Sequence, residues 1–183
     1  MTIFSDLVKD SCQKDVRQID RGHPILKLLS KGLDGILKKS AYTRYEDRRI
    51  NDLGKSLETE IKSIIENSSE CKIIPYSQHM GYPDLRLEIN DDIVFIEIKT
   101  TSKDENFSST QRVFYFTNGN KITSNGYHIL VQLFLEPSPN NPNSYQFKKW
   151  KIKDLHSLNI NLKQEYNASY KDLHELPTLF CSS

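Results

Sequence analysis

The sequence predicts an α/β (α+β) fold, in which helices flank a mixed central β-sheet. Two observations support this prediction. Through the first 60 residues, apolar side chains recur at three- and four-residue spacing, which is typical of amphipathic helices. From residue 72 to residue 152 the apolar period is close to two, which is the period of strands with one buried face. Helices followed by a cluster of strands indicate one mixed sheet.

Two helices have clear signals in the first third of the chain. The pair His23-Pro24 predicts a helix start, because proline is favoured in the first helical turn. A second apolar stripe predicts a helix over about 45–67. Its members are Leu53, Leu57, Ile61, Ile64 and Ile65.

The strands are predicted in order along the chain. Residues 72–75 form a short edge strand, and 84–89 and 93–100 alternate as half-buried strands. The most apolar segment, 127–136, is expected to be a central strand, and 145–152 a further one beyond an exposed loop at 137–144. Periodicity alone leaves 113–117 open between a strand and a helical turn.

Composition excludes several classes of protein. The 183 residues include 25 Lys and Arg against 24 Asp and Glu, so any nucleic-acid binding must use a local basic face. No apolar run approaches the roughly 18 residues that span a membrane, and no signal peptide is recognisable. Three widely spaced cysteines without a Cys-x-x-Cys pair favour the cytoplasm. Since no Gly-x-Gly-x-x-Gly or Walker loop occurs, no nucleotide cofactor is expected.

The segment 84–99 carries the most specific signal. Asn90-Asp91 suits a two-residue turn, because both residue types tolerate the left-handed conformation. Counting back from this turn pairs Leu85 with Ile96 and sets Asp84 opposite Glu97. One face of the hairpin is apolar: Leu85, Leu87, Ile89, Val94, Ile96 and Ile98. The other face holds Asp84, Arg86, Glu88, Phe95, Glu97 and Lys99.

This register sets two carboxylates, Asp84 and Glu97, directly opposite each other. Directly opposed residues lie roughly 4.5–5.5 Å apart at Cβ, so Asp84 and Glu97 should not both ionise without help. A divalent cation or an ammonium group resolves the conflict, and Lys99 points to the same face as Glu97. Hard oxygen ligands suit Mg²⁺. The alternative is a solvated polar face of an amphipathic hairpin, although opposed like charges disfavour it.

These residues resemble a known superfamily. Gly-Tyr-Pro-Asp-Leu at 81–85, followed by Phe-Ile-Glu-Ile-Lys-Thr-Thr at 95–101, is similar to the PD-(D/E)xK nucleases. The compact chain resembles type II restriction endonucleases within that superfamily. Leu-Gly-Lys-Ser-Leu-Glu at 53–58 is similar to the helix that often precedes the catalytic hairpin.

The resemblance implies an α-β-β-β-α-β, restriction-endonuclease-like core and Mg²⁺-dependent cleavage of double-stranded DNA. Asp84 and Glu97 would hold Mg²⁺, with the Ile98 carbonyl as a third candidate ligand. Lys99 would orient the attacking water and stabilise the transition state. Glu58 would complete a second metal site or hold Lys99; an ordinary helix-surface pair with Lys62 remains equally open.

Candidate DNA contacts fall into two groups. Basic stretches with aromatic residues suggest phosphate contacts by Arg48, Arg49, Lys148 and Lys149. Polar side chains around the hairpin suggest base readout by Gln78, His79, Arg112, Asn118, Asn120 and Lys121. The alternatives are solvated charges, turn chemistry for Asn118, and an ion pair of Arg112 with Asp104 or Glu105.

The leading hypothesis is a single nuclease domain over 1–183 that acts as a type II restriction enzyme. It comprises an N-terminal helical part (1–50), a catalytic core (51–136) and a C-terminal strand with a helix or tail (145–183). A homodimer is expected, because two-fold DNA sites match two-fold protein. The alternatives are a structure-specific or repair nuclease, such as a junction resolvase or nicking enzyme, and a catalytically inert DNA-binding module.

Overall fold

Six strands of the described residues form a mixed sheet at the centre of the protein. The computed structural model describes residues 2–40, 45, 49–76, 81–102, 121–141 and 144–160. The helices are α1 (Phe4–Cys12), α2 (Pro24–Ser40) and α3 (Ile50–Glu66). The strands are β1 (Thr2–Ile3), β2 (Val16–Arg17), β3 (Lys72–Ile73), β4 (Leu85–Ile89), β5 (Asp92–Thr101), β6 (Gly126–Pro137), β7 (Tyr145–Asp154) and β8 (Asn159–Ile160). The predicted mixed α/β class is confirmed.

The strand order of the sheet is β3-β4-β5-β6, with β2 and β7 both pairing with β6. Strands β5 and β6 are parallel, and β2 is parallel to β6, whereas β3, β4 and β7 join by antiparallel pairs. The predicted edge position of β3 and central position of β6 are confirmed. Strands β1 and β8 form a separate two-stranded antiparallel sheet.

The β4–β5 hairpin has the predicted turn and register. Asn90 and Asp91 have φ angles of 48° and 65°, which is the left-handed pair that a tight hairpin turn requires. Leu85 pairs with Ile96 and Ile89 with Asp92. Short-range alternation and turn chemistry therefore suffice to define this hairpin.

Each face of the sheet carries its own hydrophobic core. Helices α2 and α3 cover one face and pack on the apolar side of the hairpin. The other face is covered at one end by α1, and its cluster comprises Phe4, Val8, Val16, Tyr82, Phe95, Ile122, Leu130 and Leu155. Phe95 lies on the face of the sheet away from α2 and α3, as predicted. It is nevertheless fully buried. Strand β5 is therefore buried on both faces, as in sheets covered by helices on two sides.

The structure departs from the predicted element boundaries in the N-terminal part. Helix α3 begins at Ile50, whereas Tyr45 forms an isolated antiparallel bridge with Tyr145, so the predicted start at 45 is wrong. Residues 1–50 are not purely helical, since they include β1 and β2. Both strands pair with segments that are distant in the sequence. Each strand has only two residues, which are too few to show a periodic apolar pattern.

Two predicted elements lie outside the described residues. These are the strand or turn at 113–117 and the C-terminal helix or tail beyond 160. The crossover between the parallel strands β5 and β6 falls mostly in 103–120, which also lies outside the described residues. Among the described helices, none is long and apolar enough to cross a membrane.

Two glycines of α2 provide a matched test of how closely α2 and α3 pack. A Cβ added to Gly32 would lie 2.6 Å from Cγ2 of Ile64, whereas a Cβ on Gly35 would meet no atom within 4 Å. We expect Gly35→Ala to raise the free energy of unfolding by about 1 kcal/mol, because alanine is the better helix former. Gly32→Ala should instead lower it, by on the order of 1–3 kcal/mol, through overpacking. Urea denaturation of both variants measures the difference; equal effects would contradict this close packing.

Candidate active site

Asp84, Glu97 and Lys99 meet at the start of β4. Asp84 directly precedes β4, and its Oδ2 accepts a hydrogen bond of 2.7 Å from the Ile98 backbone N–H. Glu97 and Lys99 alternate along β5 and share a face, and the Lys99 Nζ lies 2.5 Å from the Glu97 Oε1. The structure thus brings together the three residues that the hairpin register selected.

Glu97 is the most buried charged group of this cluster. Its side chain is 3% exposed, whereas that of Lys99 is 38% exposed. Burial, followed by the negative charge of Asp84, raises the pKa of Glu97 to about 7, although Lys99 opposes the shift. The Glu97 Oε2 is buried and has no hydrogen-bond partner among the described residues. The site therefore holds an acidic oxygen that the described protein groups leave unsatisfied.

Helix α3 brings Glu58 to the same cluster. A Cβ on Gly54 would lie 3.0 Å from the Thr100 Oγ1, so glycine allows α3 to approach β5 closely. Glu58 follows one turn later on the same face of the helix. Its pKa is raised by burial and then by Asp84, and lowered by Lys99 and other lysines. Glu58 is therefore within electrostatic reach of the hairpin residues.

Lys62, the alternative surface partner of Glu58, also lies close to Glu66. The Lys62 Nζ lies 4.0 Å from the Glu66 Oε1, at the i+4 spacing in the other direction. Lys62 still contributes to lowering the pKa of Glu58, after Lys99. Its charge is thus shared between two glutamates of α3.

Lys121 lies in the carboxylate cluster, although the sequence suggested a base contact. Its side chain is buried, and its ammonium group donates to the carbonyl oxygens of Gly81 at 2.7 Å and Pro83 at 3.0 Å. Burial lowers the pKa of Lys121. Three carboxylates act in the opposite direction, those of Asp84, Glu97 and Glu58. No sequence spacing indicates this placement, because Lys121 follows the hairpin only after the 103–120 segment.

Sequence reasoning also missed the residues on β6 behind the site. His128 is fully buried, and its Nδ1 lies 2.7 Å from the Tyr82 hydroxyl oxygen. Burial lowers the pKa of His128 to about 3, so the imidazole is neutral and serves the core. Gln132 pairs with Lys99 across the parallel strands, and its Oε1 is buried without a described partner. Only the β5–β6 register reveals these neighbours.

The candidate DNA contacts are partly within the described residues. Arg49 is exposed at the N-terminus of α3. The Lys148 Nζ lies 2.8 Å from the Glu136 Oε2, and the Lys149 Nζ lies 4.8 Å from the centre of the Phe134 ring. The remaining candidates, Gln78, His79, Arg48, Arg112, Asn118 and Asn120, lie outside the described residues.

The donor set of the site suits a hard divalent cation. Carboxylate oxygens are the ligands that Mg²⁺ prefers, and the unpartnered Glu97 Oε2 lies in a site shared with Asp84. Within the described ranges, no group of three or more His, Cys, Asp or Glu side chains forms a metal site. A cation bound here would depend on the two carboxylates together with backbone or water oxygens.

The fold and this site define a restriction-endonuclease-like nuclease. The chain belongs to the Type II restriction enzyme MjaV family, whose model matches residues 1–177. It is 26% identical over 189 residues to the Type II restriction enzyme MjaV of Methanocaldococcus jannaschii, an alignment that covers 94% of this chain and 74% of the relative. The protein is therefore a type II restriction enzyme, that is, a site-specific DNA endonuclease. This confirms the leading function among those that the sequence left open.

The raised pKa of Glu97 predicts how stability depends on pH when metal is removed. The unfolded chain releases this proton near pH 4.5 and the folded protein near pH 7, so the free energy of unfolding should fall as pH rises across this window. With EDTA present, Glu97→Gln should remove most of that fall and stabilise the protein above pH 7 by on the order of 3 kcal/mol. Urea denaturation from pH 4 to 8.5 measures it.

The control for this prediction is Glu88→Gln, on the same face of the hairpin. Glu88→Gln should leave the fall in place. A small dependence should persist in Glu97→Gln, because the raised pKa of Glu58 acts in the same direction. An unchanged pH dependence in Glu97→Gln would contradict the assignment.

Proposed function

We propose that this enzyme hydrolyses phosphodiester bonds of double-stranded DNA with Mg²⁺, at a site formed by Asp84, Glu97 and Lys99. One observation carries the proposal. Glu97 is buried, one of its oxygens has no partner among the described residues, and it lies in electrostatic contact with Asp84 and in an ion pair with Lys99. Two carboxylates in so small a site repel one another at neutral pH, and a bound cation relieves that repulsion.

Asp84 and Glu97 would hold the cation, and the Ile98 carbonyl is a further candidate ligand. The Ile98 N–H donates to the Asp84 Oδ2, which orients that carboxylate towards β5. Lys99 likewise holds the Glu97 Oε1, which leaves Oε2 for another partner. Mg²⁺ bound here would lower the pKa of a coordinated water and would neutralise charge on the scissile phosphate.

Lys99 would act on the reacting groups directly. Its side chain is the more exposed member of the ion pair, so its ammonium group is accessible from the surface. An ammonium at this position would orient the attacking water and stabilise the negative charge that develops on the phosphate. Glu97 keeps the lysine in place in the absence of substrate.

Lys121 and Glu58 would support this arrangement. Lys121 donates to the carbonyls of Gly81 and Pro83, so it holds the backbone that leads into Asp84. Its positive charge also offsets part of the repulsion between the carboxylates. Glu58 lies within reach of Lys99 electrostatically, which suits either positioning of that lysine or a second metal.

The DNA-reading part of the proposal extends beyond the described site. Gln78, His79, Arg112, Asn118 and Asn120 are proposed to contact base edges, because they flank the hairpin in sequence. Arg48 and Arg49 precede α3 and are proposed to contact phosphates. A homodimer would present two such sites, which fits cleavage of both strands at a two-fold DNA sequence.

The carboxylate pair can be tested by substitution. Asp84→Ala and Glu97→Ala should each abolish Mg²⁺-dependent cleavage of plasmid DNA without unfolding the protein, because each removes a proposed ligand and neither residue belongs to a hydrophobic cluster. The measurement combines plasmid digestion over a Mg²⁺ titration with thermal melting. Glu88→Ala is the matched control, since it removes a carboxylate from the same face of the hairpin. Near-normal cleavage by Asp84→Ala or Glu97→Ala would refute the proposed site.

Lys99 should contribute to the rate more than to binding. We expect Lys99→Ala to lose several orders of magnitude in cleavage rate and to keep its affinity for DNA in Ca²⁺, because affinity depends mainly on phosphate contacts elsewhere. Lys72→Ala, at an exposed edge-strand position, is the control and should retain the wild-type rate. Equal losses of rate and affinity would identify Lys99 as a phosphate anchor instead.

A further inference from the structure

The sheet register connects the catalytic strand to a row of lysines on β7. Across the parallel pair, Glu97 lies beside Leu130, Lys99 beside Gln132, and Thr101 beside Phe134. Across the next pair, Leu130 lies beside Lys153, Gln132 beside Lys151, and Phe134 beside Lys149. Three cross-strand rows therefore begin at the active-site strand and end at a lysine.

These lysines point to the same face of the sheet as the active site. Trp150 and Ile152, which alternate with them, pack in the core formed with α2 and α3. Leu155, two residues beyond the last lysine, belongs to the core on the opposite face. Because strand side chains alternate, Lys149, Lys151 and Lys153 lie on the Glu97 and Lys99 face.

A β-bulge produces this alignment. The register between β6 and β7 shifts between Phe134 and Leu135, where Lys149 and Phe147 are their partners and Lys148 is the extra residue. Phe147 and Trp150 both pack in the α2–α3 core, although their spacing of three would otherwise place them on opposite faces. Bulges re-aim side chains in this way beside functional sites. Lys148 itself pairs with Glu136.

The spacing and exposure of the row suit a polyanion. Alternate residues of a strand lie about 7 Å apart. Lys151 lies two inter-strand spacings from Lys99, which is roughly 10 Å. Lys149 and Lys153 are exposed and Lys151 is partly exposed. The whole chain carries a net charge of only +1, so the phosphate surface that a DNA endonuclease needs must be a local concentration of charge such as this one.

We infer that Lys149, Lys151 and Lys153 form a phosphate-binding row, which holds the backbone of double-stranded DNA along β7, on the same face of the sheet as Lys99. This inference rests on the proposed function for the position of the scissile phosphate. The row contacts phosphates and no base edges, so it contributes to affinity for every DNA sequence alike. Lys148 lies outside the row, because it is the extra residue of the bulge.

The test compares single glutamine variants of neighbouring lysines. Binding of Lys149→Gln, Lys151→Gln and Lys153→Gln to a labelled duplex of random sequence is measured in EDTA at several salt concentrations. Each variant should lose on the order of tenfold in affinity at 0.1 M salt and reduce the salt slope by about one unit. Lys148→Gln is the matched control on the same strand and should change neither. Lys151→Arg should restore the wild-type slope.

The chain provides its own check on the fold of β7. Trp150 is its single tryptophan, lies between two lysines of the row, and donates from its indole N–H to the Asp34 Oδ1 at 3.1 Å. An unchanged fluorescence spectrum in each variant shows that the strand still packs on α2. If the row variants keep this spectrum yet bind DNA with wild-type affinity and salt slope, the phosphate-binding row is overturned. Equal losses of affinity and salt slope in Lys148→Gln would also overturn it.

Cleavage by the wild-type protein is measured separately with Mg²⁺. If no DNA is cleaved while the row variants still lose affinity relative to Lys148→Gln, the row stands and the proposed cleavage fails. If the wild type cleaves normally and the row variants bind normally, the cleavage stands and the row fails.

Discussion

The register of the β4–β5 hairpin is the constraint on which the rest of the site depends. Asn90 and Asp91 adopt the left-handed conformation, so the turn contains two residues and the pairing follows from it. Because side chains alternate along a strand, a slip of one residue would send Glu97 into the core beneath α2 and α3. The same register places Ile98 where its backbone N–H binds Asp84.

The site holds the carboxylates of Asp84 and Glu97 close together at a part of the sheet that is poorly exposed to water. Strand β5 is buried on both faces, and Glu97 lies within its buried stretch. Two lysines offset part of the repulsion: Lys99 pairs with Glu97, and Lys121 is held nearby by backbone carbonyls. The pKa of Glu97 nevertheless stays raised. Local conflicts of this kind are expected at functional sites.

Long-range pairing extends the site beyond the hairpin. The parallel β5–β6 pair aligns Gln132 with Lys99, and the bulge in β7 aligns three lysines with the same rows. The register thus places these lysines and Lys99 on the same face of the sheet. The net charge of the chain is nearly balanced. A type II restriction enzyme of this composition must therefore concentrate positive charge locally in order to bind DNA.

The sequence by itself determined the hairpin, its turn and the trio of Asp84, Glu97 and Lys99, because alternation and turn chemistry act over a few residues. The same periodicity predicted the existence of α2, α3 and the central strand β6. The tertiary structure alone decided the burial of Phe95, the pairing of β2 with β6 and the capture of Lys121 by the loop before Asp84. It also decided that Lys149 pairs with Phe134 while the adjacent Lys148 is the extra residue of a β-bulge. Each of these depends on contacts between distant segments, whose approach no local pattern records.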